Sequence, residues 1–264
     1  MSDMHSGSNY ALFLDRQWHG VNTSHIPRAV QVQIRERFET FCSEVKKARK
    51  NKRVILVHNG DATDGDHHHS GDVCSLNNLE QADIHIELMN EMQKRIGWQR
   101  GDELYYTRGT KTHVEDFEEH IAKQMNAIPN GSSNVFDLLK LEVNGVMAWF
   151  VHHGPIKGKG ANEGEPVTGF LKTIYFDAIR ERKFPPDIVY TGHTHDPIWV
   201  PFGVRLPGFQ FKQMHGVILP SWQAKTRFAY MVSPVGKNRI GGVIHEIKAD
   251  GTIAVPNFYI MESD

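Results

Sequence analysis

At 264 residues, 39% of them apolar, the chain can bury a large core, and we expect a single domain over 1–264. Lys and Arg number 30 against 31 Asp and Glu, a net charge of −1, so no global field draws the protein to long duplex nucleic acid or to an anionic membrane. Two cysteines, Cys42 and Cys74, lie outside any CxxC and exclude a disulfide framework.

The chain opens on Asp3-Met4-His5 with neither a basic n-region nor an apolar h-region, and no later apolar run approaches membrane-spanning length. With the cysteine usage this predicts a soluble, cytoplasmic protein that takes no membrane partner. Over 26–50, Val30, Ile34, Phe38, Phe41, Cys42 and Val45 recur in steps of three and four, which predicts a helix with one buried face. Its end is rich in Lys and Arg from Lys46 to Arg53, as a helix carboxyl end favours.

Val54-Ile55-Leu56-Val57 then runs straight into His58-Asn59-Gly60-Asp61-Ala62-Thr63-Asp64-Gly65. An apolar, β-branched run ending in carboxylates among glycines is how a buried parallel strand meets its loop, on the rim where open α/β sheets bind ligands. His67-His68-His69 follow, then a helix over 79–96 with Ile84, Leu88, Met89 and Met92 on its apolar face. Leu104-Tyr105-Tyr106-Thr107 reads as the next strand, ending in Gly109-Thr110-Lys111-Thr112-His113, and the acidic residues from Glu115 to Glu119 predict a helix starting just beyond His113.

Runs 138–143 and 146–151 flank Asn144-Gly145, a strong hairpin signal, and the second arm leads into His152-His153-Gly154-Pro155. A glycine-rich loop carrying Lys157 and Lys159 precedes a helix over 168–183, which Pro185-Pro186 stops. A buried strand over 187–191 ends in Gly192-His193-Thr194-His195. Residues 196–216 read as a loop across the mouth of the site, and 217–219, 240–247 and 252–260 as strands, the last two joined through Asp250-Gly251.

Sixteen histidines exceed what a core of this size requires. One His or Asp at a strand end usually serves to hydrogen-bond loop backbone. Here five such places carry metal-type side chains: Asp3 with His5, Asp61, the 109–113 turn, His152 or His153, and His193 with His195. That recurrence points to a metal-binding site.

Taken in order, Asp3-x-His5, Gly60-Asp61-x-x-Asp64, Gly109 to His113, His152 and Gly192-His193-Thr194-His195 resemble the calcineurin-like metallophosphoesterases, with a length and a Gly-Thr-x-x-His variant closer to the phage and prophage members. The resemblance implies an α/β fold of two packed mixed β-sheets flanked by helices, an α-β-β-α sandwich that 217–264 would complete. It also implies two divalent metal ions, Mn²⁺ first, with Fe, Zn and Ni fitting the same imidazole and carboxylate donors. If the chain is phage-encoded, its compartment is the cytoplasm of the bacterial host.

By that resemblance Asp3, His5 and His195 complete the first metal, and His152 and His193 belong to the second. Two ions about 3.5–4 Å apart need a shared anion, for which Asp61 is the candidate, and a bridging hydroxide would attack phosphorus. His113 would protonate the leaving oxygen, oriented by Glu115 or Asp116. The family has Gly-Asn-His where this chain has Gly109-Thr110-Lys111-Thr112-His113, so Thr110 is expected to fill the Asn place through its hydroxyl or a water, giving a weaker second site. Members lead into Asp-x-His by an apolar strand; only Met1 and Ser2 precede Asp3 here, which predicts a loosely held first site.

The pattern favours His152 as ligand over His153. His153, His68, His69 and Lys157 are expected toward substrate; the His67 to His69 triplet otherwise adds a further ligand or sits in a solvated loop, and the Lys157 and Lys159 loop otherwise forms a mobile lid or a plain exposed loop. Trp199, Phe202, His215 and Trp222 either line the pocket or pack the core. The expected partner is a phosphomonoester or phosphodiester, with nucleotides and nucleic-acid ends included, and nothing in the residues bears on oligomeric state. The alternative is a catalytically weak or inactive metal-binding module on the same fold. A metallo-β-lactamase-type site would need a His-x-His-x-Asp-His cluster, which the chain lacks.

Overall fold

The computed structural model describes residues 1–65, 71–114, 116–205, 211–232 and 238–262. Two short antiparallel strands, β1 (Trp18–His19) and β2 (Ser24–His25), precede helix α1 (Ala29–Arg49). Strand β3 (Ile55–Asn59), helix α2 (Asn78–Ile96) and strand β4 (Glu103–Thr107) form a β-α-β unit with β3 parallel to β4. Asn77 caps α2 by accepting from the Leu79 N–H, and Gly97 ends it in the left-handed conformation.

Two short helices follow, α3 (Lys111–Val114) and α4 (Phe117–Gln124), then β5 (Val135–Phe136), parallel to β4. The Asn144-Gly145 turn closes the expected hairpin between β6 (Leu139–Val143) and β7 (Val146–Phe150), with positive φ at both turn residues. Helix α5 (Glu165–Arg180) and strand β8 (Ile188–Thr191) come next, then β9 (Ile198–Arg205) and β10 (Phe211–Ile218). Helix α6 (Arg227–Val232) and the antiparallel pair β11 (Arg239–Ile244) and β12 (Asn257–Glu262) complete the described elements.

Side-chain alternation along the strands sets the layers. On β3 and β4, Leu56, Leu104 and Tyr106 face α1, α2 and α4, while Val57 and Tyr105 turn the other way, onto Leu139, Leu141 and Phe150 of the hairpin. In the five-stranded sheet, ordered β6-β7-β8-β10-β9, Val146, Ala148, Ile188, Tyr190 and Val217 face Val243 and Phe258 of the β11-β12 pair. Its opposite face carries Trp149, Val189 and Met214 against Leu171 and Ile174 of α5. The architecture is therefore α-β-β-α, helices outside and two strand layers within. The inner layer on the α1 side consists of separate groups, β3-β4-β5 and β11-β12.

One expectation is corrected. Residues 198–205 and 211–218 are paired strands, in register from Phe211 with Arg205 to Ile218 with Ile198, where a loop was expected. Pro201 and Gly203 hide the alternation, and an edge strand tolerates both. The helix expected just beyond His113 is α4, which starts at Phe117 with Glu118 and Glu119 in its first turn, while His113 itself lies in the single turn α3.

The basic end of α1 is spent on ion pairs, Arg49 with Asp102, Lys52 with Glu246 and Arg53 with Glu103. Among the described residues no helix is long and apolar enough to cross a membrane.

Candidate metal centre

Four strands deliver their carboxyl ends to one place. Asp61 follows β3, Gly109 and Thr110 follow β4, His152 and His153 follow β7, and His193 and His195 follow β8. Residues 1–6 run beside the end of β3 and its loop. The Asn59 N–H donates to Met1 O at 2.8 Å, and the N–H groups of Asp3, His5 and Ser6 donate to Gly60, Asp61 and Ala62 carbonyls at 2.9–3.0 Å.

On the other side, the Trp222 N–H donates to Asp3 O at 2.9 Å. Asp3 is wholly buried and His5 nearly so. The loosely held Asp3 expected from its short lead-in is thus not found, because the Gly60 loop and residue 222 grip it from both sides.

The functional atoms form two groups with a shared edge. In the first, the Nε2 atoms of His5 and His195 approach to 3.2 Å, with Asp3 Oδ1 at 3.2 Å from His195 Nε2 and 3.9 Å from His5 Nε2. In the second, Asp61 Oδ2 lies 3.0 Å from His152 Nε2, and Thr110 Oγ1 sits 3.2 Å from Asp61 Oδ2, 3.4 Å from His152 Nε2 and 3.3 Å from His193 Nδ1. Asp61 Oδ2 is also 3.9 Å from His5 Nε2, so it reaches both groups.

Ligands about 2.0–2.2 Å from a common cation stand roughly 3–3.6 Å apart, close to these spacings. Two imidazole nitrogens and a carboxylate oxygen turned toward one point, within 4.8 Å of one another, can hold a metal ion.

Outer contacts fix the inner ones. His152 Nδ1 donates to Asn59 O at 2.7 Å, which leaves Nε2 facing Asp61. Asp64 Oδ1 lies 3.0 Å from His5 Nδ1 and accepts from Gln223 Nε2 at 2.9 Å. Ser2 Oγ donates to Asp3 Oδ2, the His193 N–H donates to both Asp3 oxygens, and the Thr110 N–H donates to Asp61 Oδ1 at 2.5 Å. Buried Glu118 clamps the two loops together, accepting from Ala62 N–H at 3.2 Å and Gly109 N–H at 2.7 Å. A Cβ on Gly60, which has φ +84°, would overlap the His152 ring, and one on Gly192 would overlap Ser2 Oγ and Asp3 Oδ2.

The electrostatics of this cage are those of paired opposites. Burial alone would raise the Asp3 carboxyl, but the imidazoles of His152, His195 and His5 outweigh it and hold the group well below the usual carboxylate range. Asp61 is lowered likewise, against burial, chiefly by His152. Burial would depress His152, yet the carboxylates of Asp3 and Asp61 and the bond to Asn59 lift it to about 10. Glu118 is pushed up to about 7, mainly by burial.

The structure brings Asp3, His5, Asp61, Thr110, His152, His193 and His195 together. His113 adjoins them, its ring centroid 4.8 Å from that of His5 and its Nδ1 donating to Asp64 O at 2.7 Å. That carbonyl orients it; exposed Asp116 does not, and Glu115 lies outside the described residues, as do His67, His68 and His69. His153 is exposed beside His152 and His193. Lys157 reaches Asp196 at 3.0 Å and Glu163 at 3.6 Å.

Trp222 packs between Phe38 and Phe41, and Trp199 stacks on His215, so these aromatics belong to packing. Glu118 went unnoticed in the sequence among the acidic residues of a helix start. Its spacing from Val114, Ile121 and Ala122 is the signal that places it on the buried face.

No family model matches the chain, and no curated protein matches it. Among solved structures it is similar to a Thermotoga maritima protein determined by solution NMR, at 17% identity over 67% of this chain and 73% of that one, TM-score 0.27. It is similar also to a conserved uncharacterised protein of Streptococcus pneumoniae described as a predicted phosphoesterase, at 12% identity over 84% and 91%, TM-score 0.28. The functional reading rests on the geometry of the site.

Proposed function

We propose that this chain is a metal-dependent phosphoesterase that hydrolyses a phosphomonoester or phosphodiester. The observation that carries the reading is the position of Asp61 Oδ2, within 3.9 Å of imidazole nitrogens in both groups, so that one carboxylate serves two cations. Asp3, His5 and His195 would hold the first ion and Thr110, His152 and His193 the second, with Mn²⁺ the leading choice and Fe, Zn and Ni fitting the same donors. When bound, such a pair supplies the positive charge that offsets the developing phosphoryl charge and lowers the pKa of the attacking water.

The protein's own groups supply the rest. Asp64 O accepts from His113 Nδ1, which fixes the ring so that its Nε2 can pass a proton to the leaving oxygen. Exposed His193 lies at the open side of the cage, where substrate would enter. The near-zero net charge suits small esters, nucleotides or nucleic-acid ends better than long duplexes.

The test is hydrolysis of bis-p-nitrophenyl phosphate and p-nitrophenyl phosphate by metal-stripped protein given Mn²⁺, beside Asp61→Asn. We expect turnover that requires the metal and falls at least about 100-fold in the variant, since even outer partners of a metal site are worth 10–100-fold. If neither ester reacts although two ions bind, the catalytic reading fails and a metal-binding module remains.

A further inference from the structure

His153 stands at the edge of the cage, and the proposed reaction gives it no task. The chain leaves β7 with two successive histidines, the first buried with its Nε2 on Asp61, the second exposed. Yet the exposed ring does not turn away: its centroid is 4.9 Å from His152 and 4.5 Å from His193, edge-on to both at 76° and 65°. One ring nitrogen from each of the three lies within 4.8 Å of the others. Among the described residues the His153 ring nitrogens have no hydrogen-bond partner, so nothing competes with a cation for them.

The second group also needs a donor on that side. Thr110 contributes only a short neutral hydroxyl, already 3.2–3.4 Å from Asp61, His152 and His193. An exposed imidazole can settle its two side-chain torsions at little cost and complete the shell.

We infer that His153 is a further ligand of the second cation, making that site a cluster of three imidazoles with the shared Asp61 carboxylate. The inference rests on the two-cation reading above and adds a donor to it. Imidazole-rich sites suit Zn²⁺, Fe²⁺ or Ni²⁺, whereas carboxylate and water suit Mn²⁺ and Mg²⁺, so the two positions differ in the metals they prefer.

The experiment is equilibrium dialysis of metal-stripped protein against Zn²⁺, with metal counted per chain, and a parallel Co²⁺ titration read by visible absorption. Wild type is compared with His153→Ala and with His19→Ala, an exposed histidine on β1. We expect two ions in wild type and His19→Ala. In His153→Ala the first ion should bind unchanged and the second at least tenfold more weakly, with its Co²⁺ band altered and the metal-free circular-dichroism melt unmoved.

Two tightly bound ions and an unaltered Co²⁺ spectrum in His153→Ala would overturn the inference and leave the two-cation reading standing. So would a raised KM with unchanged metal affinity, which would put His153 on substrate. A wild type that binds fewer than two ions would overturn the reading beneath both.

Discussion

Asp3, His5, Asp61, His193 and His195 all have positive φ, between 43° and 69°, and they are five of the nine non-glycine residues in that region among the described residues. Each such residue costs on the order of 1–3 kcal/mol, a strain that persists only where surrounding contacts over-determine the backbone. Here those contacts are the bonds of Asp3 to Gly60 and Trp222 and of His193 to Asp3. The closeness of Gly192 to Ser2 and Asp3 makes it a sensitive point. Gly192→Ala is expected to weaken the first cation at least tenfold in a metal titration, whereas Gly203→Ala, where a Cβ meets nothing within 4 Å, should leave it unchanged. Equal affinities would show that the approach is not tight in solution. At this scale Asp61, His152, His193 and His195 were legible because each follows an apolar run, and Asp3 with His5 through the resemblance; Glu118 shows itself only by its spacing on the buried face of α4, and Gln223 acts through an outer bond that no sequence spacing reveals.

Where β3 packs on α2, two histidines are buried completely. His85 is satisfied as a neutral ring, Nδ1–H donating to Ala62 O at 3.0 Å and the Tyr106 hydroxyl donating to Nε2 at 3.1 Å. His58, at 4.8 Å from His85 between ring centroids, has no partner for either nitrogen. Burial pushes His85 down to about 3, and burial with the neighbouring His85 pushes His58 well below its ordinary value. Unfolded histidines titrate near 6.5, so below that pH the unfolded chain binds protons that the folded chain refuses. Stability should be full above about 6.5 and fall with acid, by up to about 1.4 kcal/mol per pH unit for each group. His58→Phe should be neutral or stabilising at pH 7.5, since it removes unpaired polar atoms, and should flatten the acid slope by one group. Urea unfolding at pH 7.5, 6 and 5 checks this, and an unchanged slope would contradict it. Helices α1 and α2 and strands β3, β4 and β8 were readable from periodicity. The β9-β10 pairing was not, because Pro201 and Gly203 break the alternation that marks a strand.

For the whole molecule, the layers exist to bring four strand ends and the first six residues to one rim. The α-β-β-α order follows from alternation, but the convergence depends on long-range contacts such as Trp222 N–H to Asp3 O. Without cations, imidazolium at His152 balances the carboxylates of Asp3 and Asp61. Binding must displace that proton, so affinity should fall as pH falls. The most direct test counts Mn²⁺ bound per chain at pH 7.5 by metal-stripped wild type and by Asp61→Asn. Two ions in wild type and at most one in the variant are predicted, because Asp61 is the proposed shared ligand of the two sites. Fewer than two in wild type, or two in both proteins, would contradict a cage built around that carboxylate.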